Sequence, residues 1–462
     1  MKKTLVVLFV LCTSIAVAQD ISGSWTGILS IQGTELPLVF NFKKTSTGYS
    51  ATMDSPKQGA NDIPVDEVRF TDKKLSVTLK SAGVSYTGEW KNDAEISGTF
   101  AQGSFSTPMN LTKGALEIIK PQEPKKPYPY YTENVQFTNT KENIALAGTL
   151  SLPAKDGKFP AVILISGSGQ QNRDSEIMGH KPFLIIADYL TRNGFAVSRY
   201  DDRGVGESKG DPTLSTSADF ANDARAAIEF LRMRKEINSK KIGVIGHSEG
   251  GMIAPMLAAT DKNIAFIVLL AGTGVPGDVL LVDQNYEVGR LRGMTEDQLE
   301  NAKIENQKIY DLIKADGSLT VAKKNLAAYF QANIDKIPEA ERPSQEEVDT
   351  TIQQEVDAIA TPWLQYFITY NPKENLKKVK CPVLVLNGDR DIQVSAGLNT
   401  NGIANALKEG GNKYIKLQVF PGLNHLFQKC STCTIEEYGH LDETFSTEVL
   451  QSMTNWLKLQ SK

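Results

Sequence analysis

Short runs that alternate apolar and polar residues fill the chain from about residue 20 to residue 113, and they are separated by Gly, Ser and Thr. Clear examples lie at 36–42, 74–79 and 83–88. A period of two with frequent turn residues is typical of antiparallel strands that bury one face. The pattern therefore predicts a small all-β domain, a sandwich or a barrel, over residues 19–114.

A different pattern begins near residue 132, where the apolar runs become continuous. Such runs lie at 161–165, 242–245, 264–270 and 383–386. A strand that is apolar at every position suits a parallel sheet covered on both faces. Helical patterns at 217–234 and 398–408 follow such runs. Strands that alternate with helices predict an α/β fold for residues 132–462, a mostly parallel sheet flanked by helices.

Two segments depart from these patterns. Residues 115–131 are rich in proline and predict an extended, semi-rigid linker between the two domains. Residues 278–374 are rich in Gln, Glu, Lys and Ala, with apolar residues at helical spacing, and predict a helical insertion between two strands. The insertion is either a set of solvent-exposed helices with no role at a site or a lid that covers a site. We favour a lid, because ligands bind at the carboxyl edge of such sheets.

The N-terminus has the three parts of a secretory signal peptide. Lys2 and Lys3 precede an apolar run at 5–11, and the small residues at 16–18 form a cleavage site. We therefore expect residues 1–18 to be removed and the protein to be periplasmic or extracellular. The apolar run is too short to span a bilayer, and no later segment predicts a membrane helix.

Composition and charge limit the possible partners. The chain has 462 residues, of which 40% are hydrophobic, and a formal net charge of -4. That hydrophobic content excludes wholesale disorder. No long basic stretch is present, so we expect no nucleic-acid partner, because phosphate binding needs clustered Lys and Arg. A small molecule is the expected partner, and the sequence gives no prediction of oligomeric state.

A nucleophile motif follows the apolar run 242–245. Residues 246–251 read Gly-His-Ser-Glu-Gly-Gly and precede a helical pattern. This is G-x-S-x-G between a strand and a helix, where a sharp turn exposes the serine hydroxyl and leaves no room for side chains at the flanking positions. Ser248 is therefore the predicted nucleophile, and it needs a base to take its proton.

The chain offers four histidines as the base: His180, His247, His425 and His440. His425 comes after a strand-like run at 414–420 and a short turn, which places it on a loop at the carboxyl end of the last strand. His247 is adjacent to Ser248 and is expected to point the other way. We predict that His425 is the general base and then the general acid.

The imidazole in turn needs a carboxylate that fixes its tautomer. Asp389 and Asp391 both lie on the loop after the run 383–386, and either could serve. An oxyanion also needs backbone N–H donors. Glu249, directly after the nucleophile, should supply one. The glycine-containing loop 166–170 should supply the other, from Ser168 or Gly169.

Cysteines and a charged run admit several interpretations. Cys381 begins an apolar run and predicts a buried thiol. Cys430 and Cys433 are spaced C-x-x-C, which fits a disulfide, two free thiols or part of a metal site.

The charged run at 200–208 is interpreted as a structural brace through Asp–Arg pairing rather than as a metal site.

Taken together, residues 132–462 resemble the α/β-hydrolase superfamily, and most closely bacterial esterases grouped with the serine aminopeptidase hydrolases. The opening of the mature chain, 21–27, resembles the first strand of a lipocalin-like β domain. The family pattern places the acid three residues after the glycine of its loop, which selects Asp391 and keeps Asp389 as the fallback. It also favours Ser168 as the second oxyanion donor.

The resemblance implies hydrolysis of carboxylic esters through a Ser248 acyl-enzyme, with no metal and no organic cofactor. A carboxylesterase acting on short or medium acyl esters is the leading hypothesis. The alternatives are an aminopeptidase-like serine peptidase, a thioesterase, a lactonase and a carbohydrate-ester deacetylase. A binding protein with an inactive hydrolase domain is a different class, and the complete set of Ser248, Asp391 and His425 argues against it.

Overall fold

The computed structural model describes residues 20–31, 34–58, 60–114, 120–315 and 317–461. The predicted signal peptide, 1–18, lies outside the described residues. The chain divides near residue 118 into two compact units.

The first unit is all-β, as predicted. Its strands are β1 Gly23–Ile31, β2 Thr34–Thr45, β3 Gly48–Ser55, β4 Ala60–Pro64, β5 Glu67–Thr71, β6 Lys74–Leu79, β7 Val84–Asn92, β8 Glu95–Gln102, β9 Phe105–Pro108 and β10 Leu111–Lys113. They form one antiparallel sheet in the order β4-β3-β2-β1-β10-β8-β7-β6-β5, with β9 paired to β8. Its core is built on large fully buried side chains such as Trp25, Phe40 and Tyr86, which explains the period-two pattern.

The second unit contains an eight-stranded sheet. Its strands are β11 Tyr131–Asn139, β12 Ile144–Leu152, β13 Phe159–Ile165, β14 Ala196–Tyr200, β15 Ile237–His247, β16 Ile267–Leu270, β17 Val383–Gly388 and β18 Ile415–Phe420. The order is β11-β12-β14-β13-β15-β16-β17-β18. The pairs from β14 to β18 are parallel, while β11 and β12 add an antiparallel edge.

Helices cover both faces of this sheet. They are α1 Pro182–Arg192, α2 Ser217–Met233, α3 Glu249–Thr260, α4 Gly277–Leu291, α5 Glu296–Lys314, α6 Leu319–Ile334, α7 Gln345–Ile359, α8 Pro362–Thr369, α9 Lys373–Leu376, α10 Ala396–Glu409 and α11 Thr447–Gln460. Within β13, Ile163 joins the core beneath α2, α3 and α10, whereas Leu164 joins the core beneath α1 and α11. Burial of alternate residues on opposite faces is why the strand is apolar throughout. The predicted α/β-hydrolase fold is confirmed.

The stretch between β16 and β17 is helical, as predicted, and consists of α4 to α9. Local capping explains where two of these helices begin. Thr295 caps α5 and Ser344 caps α7, and in each case the side chain three residues later bonds back to the cap. We call α4 to α9 the helical insertion.

The predicted linker is held against the second unit over the part that the structure describes. The Lys120 ammonium donates hydrogen bonds to the carbonyls of Gly439 and Leu441, at 2.9 and 2.8 Å. The Gln122 amide donates to the Phe445 carbonyl at 2.9 Å. The sequence predicts an extended, semi-rigid linker here, and these polar contacts attach its described part to the second unit. Among the described residues, no helix combines the length and the apolar character that crossing a membrane requires.

Candidate active site

Ser248 stands on a strained turn between β15 and α3. Its backbone has φ 54° and ψ -116°, a conformation that non-glycine residues rarely adopt outside functional sites. A Cβ at position 246 would lie 2.0 Å from the Gly250 carbonyl oxygen, and one at position 250 would lie 2.2 Å from the Ile165 carbonyl oxygen. Both glycines of the motif are therefore required by the turn itself.

The His425 ring is joined to Asp391. Its Nδ1 lies 2.8 Å from Asp391 Oδ2, and both residues are buried. The other carboxylate oxygen of Asp391 accepts hydrogen bonds from the N–H groups of Gln393 and Val394, each at 2.9 Å. The carboxylate is thus fixed from behind while it faces the imidazole, which is the arrangement that sets a histidine tautomer.

Asp389, the alternative acid, has a different partner. Its Oδ1 accepts a hydrogen bond from the Gly422 N–H at 2.6 Å, which ties the loop after β17 to the turn after β18. This contact is a brace between two loops. The structure therefore brings Asp391, and not Asp389, to His425.

His247 lies against His425 instead of pointing away from it. The two ring centroids are 4.7 Å apart, and His247 Nε2 lies 2.9 Å from the His425 carbonyl oxygen. Burial, followed by repulsion from His425, lowers the pKa of His247 to about 3. A neutral His247 can donate its Nε2 proton to that carbonyl, so its contact supports the loop that carries His425.

Ser248 itself is half-buried, and its Oγ makes no hydrogen bond within the described part of the chain. Its neighbour His247 contacts the ring and the carbonyl of His425, which brings the loop that carries His425 against the turn at Ser248. Bonds between a nucleophile and its base often tighten only when substrate is bound.

The remaining histidines lie elsewhere. His180 is buried between the Thr444 hydroxyl and the Tyr438 carbonyl, at 2.8 and 2.9 Å, and burial lowers its pKa to about 4. His440 is exposed in the 3-10 helix Ile435–His440. The structure brings neither of them to Ser248.

The loop after β13, residues 166–171, runs beside the nucleophile, and we call it the oxyanion loop. A Cβ at position 167 would lie 3.1 Å from Ser248 Cβ, so the backbone approaches the serine closely and a side chain here would require a small shift. Ser168, the predicted donor, is the next residue. Glu249, the other predicted donor, is the first residue of α3, where backbone N–H groups are not used by the helix.

Sequence reasoning missed two carboxylates around this loop, Asp202, which is partly buried, and Glu249, which is buried. Asp202 accepts hydrogen bonds from the Ser166 hydroxyl and the Gln171 N–H. The Glu249 side chain accepts hydrogen bonds from the Ser217 hydroxyl and the Trp363 indole. Burial raises the pKa of Asp202 to about 7 and raises that of Glu249 as well. The partners lie far away in the sequence, so no local motif could have indicated them.

Cys430 and Cys433 form a disulfide. It lies on the segment that follows His425, where the Cys430 N–H donates to the Gly422 carbonyl at 3.1 Å. Cys381 is a free thiol of intermediate burial, and desolvation raises its pKa to about 12. Of the three alternatives that the C-x-x-C spacing leaves open, a disulfide, two free thiols or part of a metal site, the structure has the disulfide.

Residues 142–422, more than half of the chain, match the family described as X-Pro dipeptidyl-peptidase (S15 family). The match includes Ser248 and Asp391 and ends just before His425.

Three known proteins are similar to parts of this chain. Esterase EstD of Thermotoga maritima is 27% identical over 338 residues, which cover 71% of this chain and 69% of EstD. The uncharacterized protein YfhR of Escherichia coli K12 is 28% identical over 173 residues, which cover 35% of this chain and 57% of YfhR. The solved structure of the Pyrococcus furiosus esterase Pf2001 aligns with 76% of this chain and 100% of its own, at 17% identity and a TM-score of 0.43. With the family match covering most of the second unit, the chain belongs to the X-Pro dipeptidyl-peptidase (S15) family and is a serine hydrolase.

Proposed function

We propose that this protein is a serine carboxylesterase that hydrolyses short or medium acyl esters through an acyl-enzyme on Ser248. The observation that carries the proposal is the buried His425–Asp391 pair, which contacts His247, the residue before a serine on a strained strand-to-helix turn. The similarity to Esterase EstD, a protein named for ester hydrolysis, supports an ester as the substrate.

In the proposed reaction, His425 takes the proton from Ser248 Oγ as that oxygen attacks the ester carbonyl carbon. Asp391 holds Nδ1–H and stabilises the imidazolium that forms. The oxyanion accepts hydrogen bonds from the N–H groups of Glu249 and Ser168. The alcohol leaves with the proton from His425. Water, activated by His425, then attacks the acyl-enzyme, which releases the acid and restores Ser248.

Ester turnover by the purified protein tests the proposal directly. p-Nitrophenyl esters of graded acyl length should be hydrolysed, with short or medium chains preferred. Ser248→Ala should lower kcat by about 10⁴-fold or more, because the nucleophile is lost. Full activity of Ser248→Ala would contradict the mechanism, and turnover of amides without esters would contradict the esterase assignment.

A peptidase is the second candidate, because the matched family is described as X-Pro dipeptidyl-peptidase. Cleavage near a peptide N-terminus needs a group that holds the substrate ammonium. Asp202 and Glu249, two carboxylates that line the small cavity beside the oxyanion loop, already accept hydrogen bonds from protein neighbours, and desolvation raises the pKa of each. That environment disfavours both as ammonium ligands. X-Pro p-nitroanilides offered beside the esters decide between the candidates: faster amide turnover would favour the peptidase.

We further propose that the protein is exported and that residues 1–18 are removed. The N-terminal pattern supports this, and so does the Cys430–Cys433 disulfide, since disulfides persist in oxidising compartments. Protein recovered from the periplasm or the medium of an expressing bacterium should begin at Gln19. Protein found only in the cytoplasm with Met1 retained would contradict the proposal.

A further inference from the structure

Asp202, the second residue after β14, holds both ends of the oxyanion loop. Its two carboxylate oxygens lie 2.9 and 3.0 Å from the Ser166 hydroxyl, which donates to them. One of these oxygens also accepts a hydrogen bond from the Gln171 N–H at 3.0 Å. In return, the Asp202 N–H donates to the Gln171 carbonyl at 3.0 Å. One residue therefore fastens the first and the last positions of the loop.

Among the described residues, the hydrogen bonds of the loop between these two anchors include a long one, from the Gln171 side-chain amide to the Ser168 carbonyl at 3.4 Å. The loop contains Gly167 and Gly169, and Gly169 has a φ of 92°, in the region that favours glycine. Glycine has the greatest backbone freedom of any residue, so an unanchored loop of this composition would sample many conformations. An oxyanion donor works only when its nitrogen lies about 2.7–3.1 Å from the developing charge. The approach of Gly167 to Ser248 places the backbone of this loop beside the serine.

We propose that Asp202 is a positioning residue that fixes the oxyanion loop, through Ser166 and Gln171, so that the Ser168 N–H points at the oxyanion. Asp202 touches neither substrate nor nucleophile in this role and acts through the loop alone. The inference rests on the proposed acyl-transfer chemistry at Ser248.

The residues around Asp202 make its hydrogen bonds to the loop depend on whether the Asp202 carboxyl group is ionised. Asp223 of α2, Glu249 of α3 and Tyr200 of β14 line a small cavity with it, of about 10 Å³, which is room for a single water at most. The nearest cation in this network, Arg203, pairs with Asp223 and with Glu142. Within the described residues, no Lys or Arg forms an ion pair with Asp202.

The direction of the pH effect follows from these contacts. Burial is the main cause that raises the pKa of Asp202 to about 7, and the nearby charges of Glu249 and Asp223 raise it further. The hydrogen bonds from Gln171 and Ser166 lower this pKa, but by less. The ionised form accepts hydrogen bonds with both oxygens. As the pH falls through about 7, protonation converts one oxygen into a donor and weakens the anchor, so kcat should fall.

Three variants test the anchor. Asp202→Ala removes it and should lower kcat by about 100-fold with little change in KM, because one oxyanion donor is worth that much. Ser166→Ala removes one of its bonds and should lower kcat by about fivefold to tenfold. The double variant should be no worse than Asp202→Ala, since both changes break the same link. Glu207→Gln, an exposed carboxylate on the same loop as Asp202, is the matched control and should keep wild-type kcat.

Asp202→Asn separates positioning from general stability. It keeps the shape and one acceptor oxygen but cannot titrate, so its kcat should fall less steeply than that of the wild type as the pH drops below neutrality. The proposal would be overturned if kcat of Asp202→Asn fell as steeply with decreasing pH as kcat of the wild type. It would also be overturned if folded Asp202→Ala kept the wild-type kcat. If Asp202→Ala does not fold, unchanged kcat in both Ser166→Ala and Asp202→Asn overturns it.

The rate at which a fluorophosphonate labels Ser248 gives a second readout that needs no knowledge of the natural substrate. Labelling uses the same oxyanion donors, so it should slow in Asp202→Ala and in Ser166→Ala. Wild-type protein that is labelled but hydrolyses no ester would refute the esterase proposal alone. Equal labelling rates in the wild type and in folded Asp202→Ala would refute the positioning role alone.

Discussion

At the scale of single residues, Asp389 and Asp391 give a sharp comparison because they share one loop. Asp391 bonds to His425 Nδ1, whereas Asp389 bonds to the Gly422 N–H. Asp391→Asn should lower kcat by about 10⁴-fold, because an amide at this position favours the wrong imidazole tautomer.

Asp389→Asn is the matched control for that change. It removes a charge from the same loop but keeps an oxygen that can accept from Gly422, so kcat should stay within about threefold of the wild type. Steady-state kinetics on one p-nitrophenyl ester measures both variants. If Asp389→Asn lost most of its kcat while Asp391→Asn lost little, Asp389 would be the partner of His425 and Asp391 would not.

The candidate site could be predicted from sequence where a local pattern carried the information. Ser248 is marked by its glycines, and His425 by the strand before it. The strand before Asp391 marks Asp389 equally, and only the resemblance to the family selects Asp391. Asp202 and Glu249 gave no such signal, because their roles depend on Ser166 and Trp363, which only the fold brings near. The sequence predicts that His247 points the other way from Ser248, but it gives no sign that the His247 ring packs against His425, because that contact depends on the fold.

At the scale of elements, a partly buried side-chain hydrogen bond joins the helical insertion to α3, the helix that follows Ser248. The Trp363 indole, on α8, donates to the Glu249 side chain of α3 at 3.0 Å. Trp363→Phe keeps an aromatic ring to stack on Phe367 but removes the donor. Because the Glu249 carboxyl is then left with only the Ser217 hydroxyl, we expect a loss of about 1–2 kcal/mol in the free energy of unfolding.

The same variant should loosen the insertion, which limited proteolysis can measure. Cleavage within α4 to α9 should be faster in Trp363→Phe than in Tyr366→Phe, a control on the same helix that also keeps its ring. Equal cleavage rates would show that the indole bond does not hold the insertion in place.

The disulfide stabilises a different element, the segment after His425. Cys430 and Cys433 close a very short loop. Their replacement by serine should cost about 2 kcal/mol of unfolding free energy on the chain-entropy model. The turn at His425 has its own support, because Asn424 accepts hydrogen bonds from the N–H groups of Leu426 and Gln428. We therefore expect kcat to be largely retained.

Urea unfolding of the double serine variant, beside wild type with and without a dithiol reductant, measures that cost. Reduced wild type and the variant should unfold at the same denaturant concentration, below that of the oxidised protein. A large loss of kcat on reduction would instead assign the disulfide a part in holding His425.

At the scale of the whole molecule, every residue of the candidate site lies in the second unit. The two units have separate hydrophobic cores. A chain that starts at Lys120 keeps the contacts of Lys120 and Gln122 with the C-terminal segment. It should fold and hydrolyse small soluble esters with kcat close to that of the full chain.

Activity and thermal unfolding of this shortened protein check the expectation. An insoluble or inactive product would show that the β unit is needed for the second unit to fold. A normal kcat on small esters with a raised KM on large or insoluble ones would assign the β unit to substrate binding.

The fold class was predictable from sequence because the burial of a strand determines which of its positions are apolar. Alternating runs marked the first unit, and continuous apolar runs such as 161–165 and 383–386 marked the second. The attachment of residues 120–130 was not predictable, since a proline-rich segment looks the same whether it spans water or lies on a surface. Its partners, Gly439 and Leu441, contribute backbone carbonyls, which every residue possesses.

The position of the helical insertion also affects how the chain folds. β16 and β17 are neighbours in the sheet, with Ile267 opposite Val383, although the whole insertion separates them in sequence. Closing a loop of this length costs only about 1 kcal/mol more than closing one a quarter as long. Equilibrium stability is therefore little affected, but contacts between distant residues slow folding. Until that pairing forms, the apolar edges of β16 and β17 are open to other chains, so dilute refolding and chaperone assistance should raise the yield of native protein.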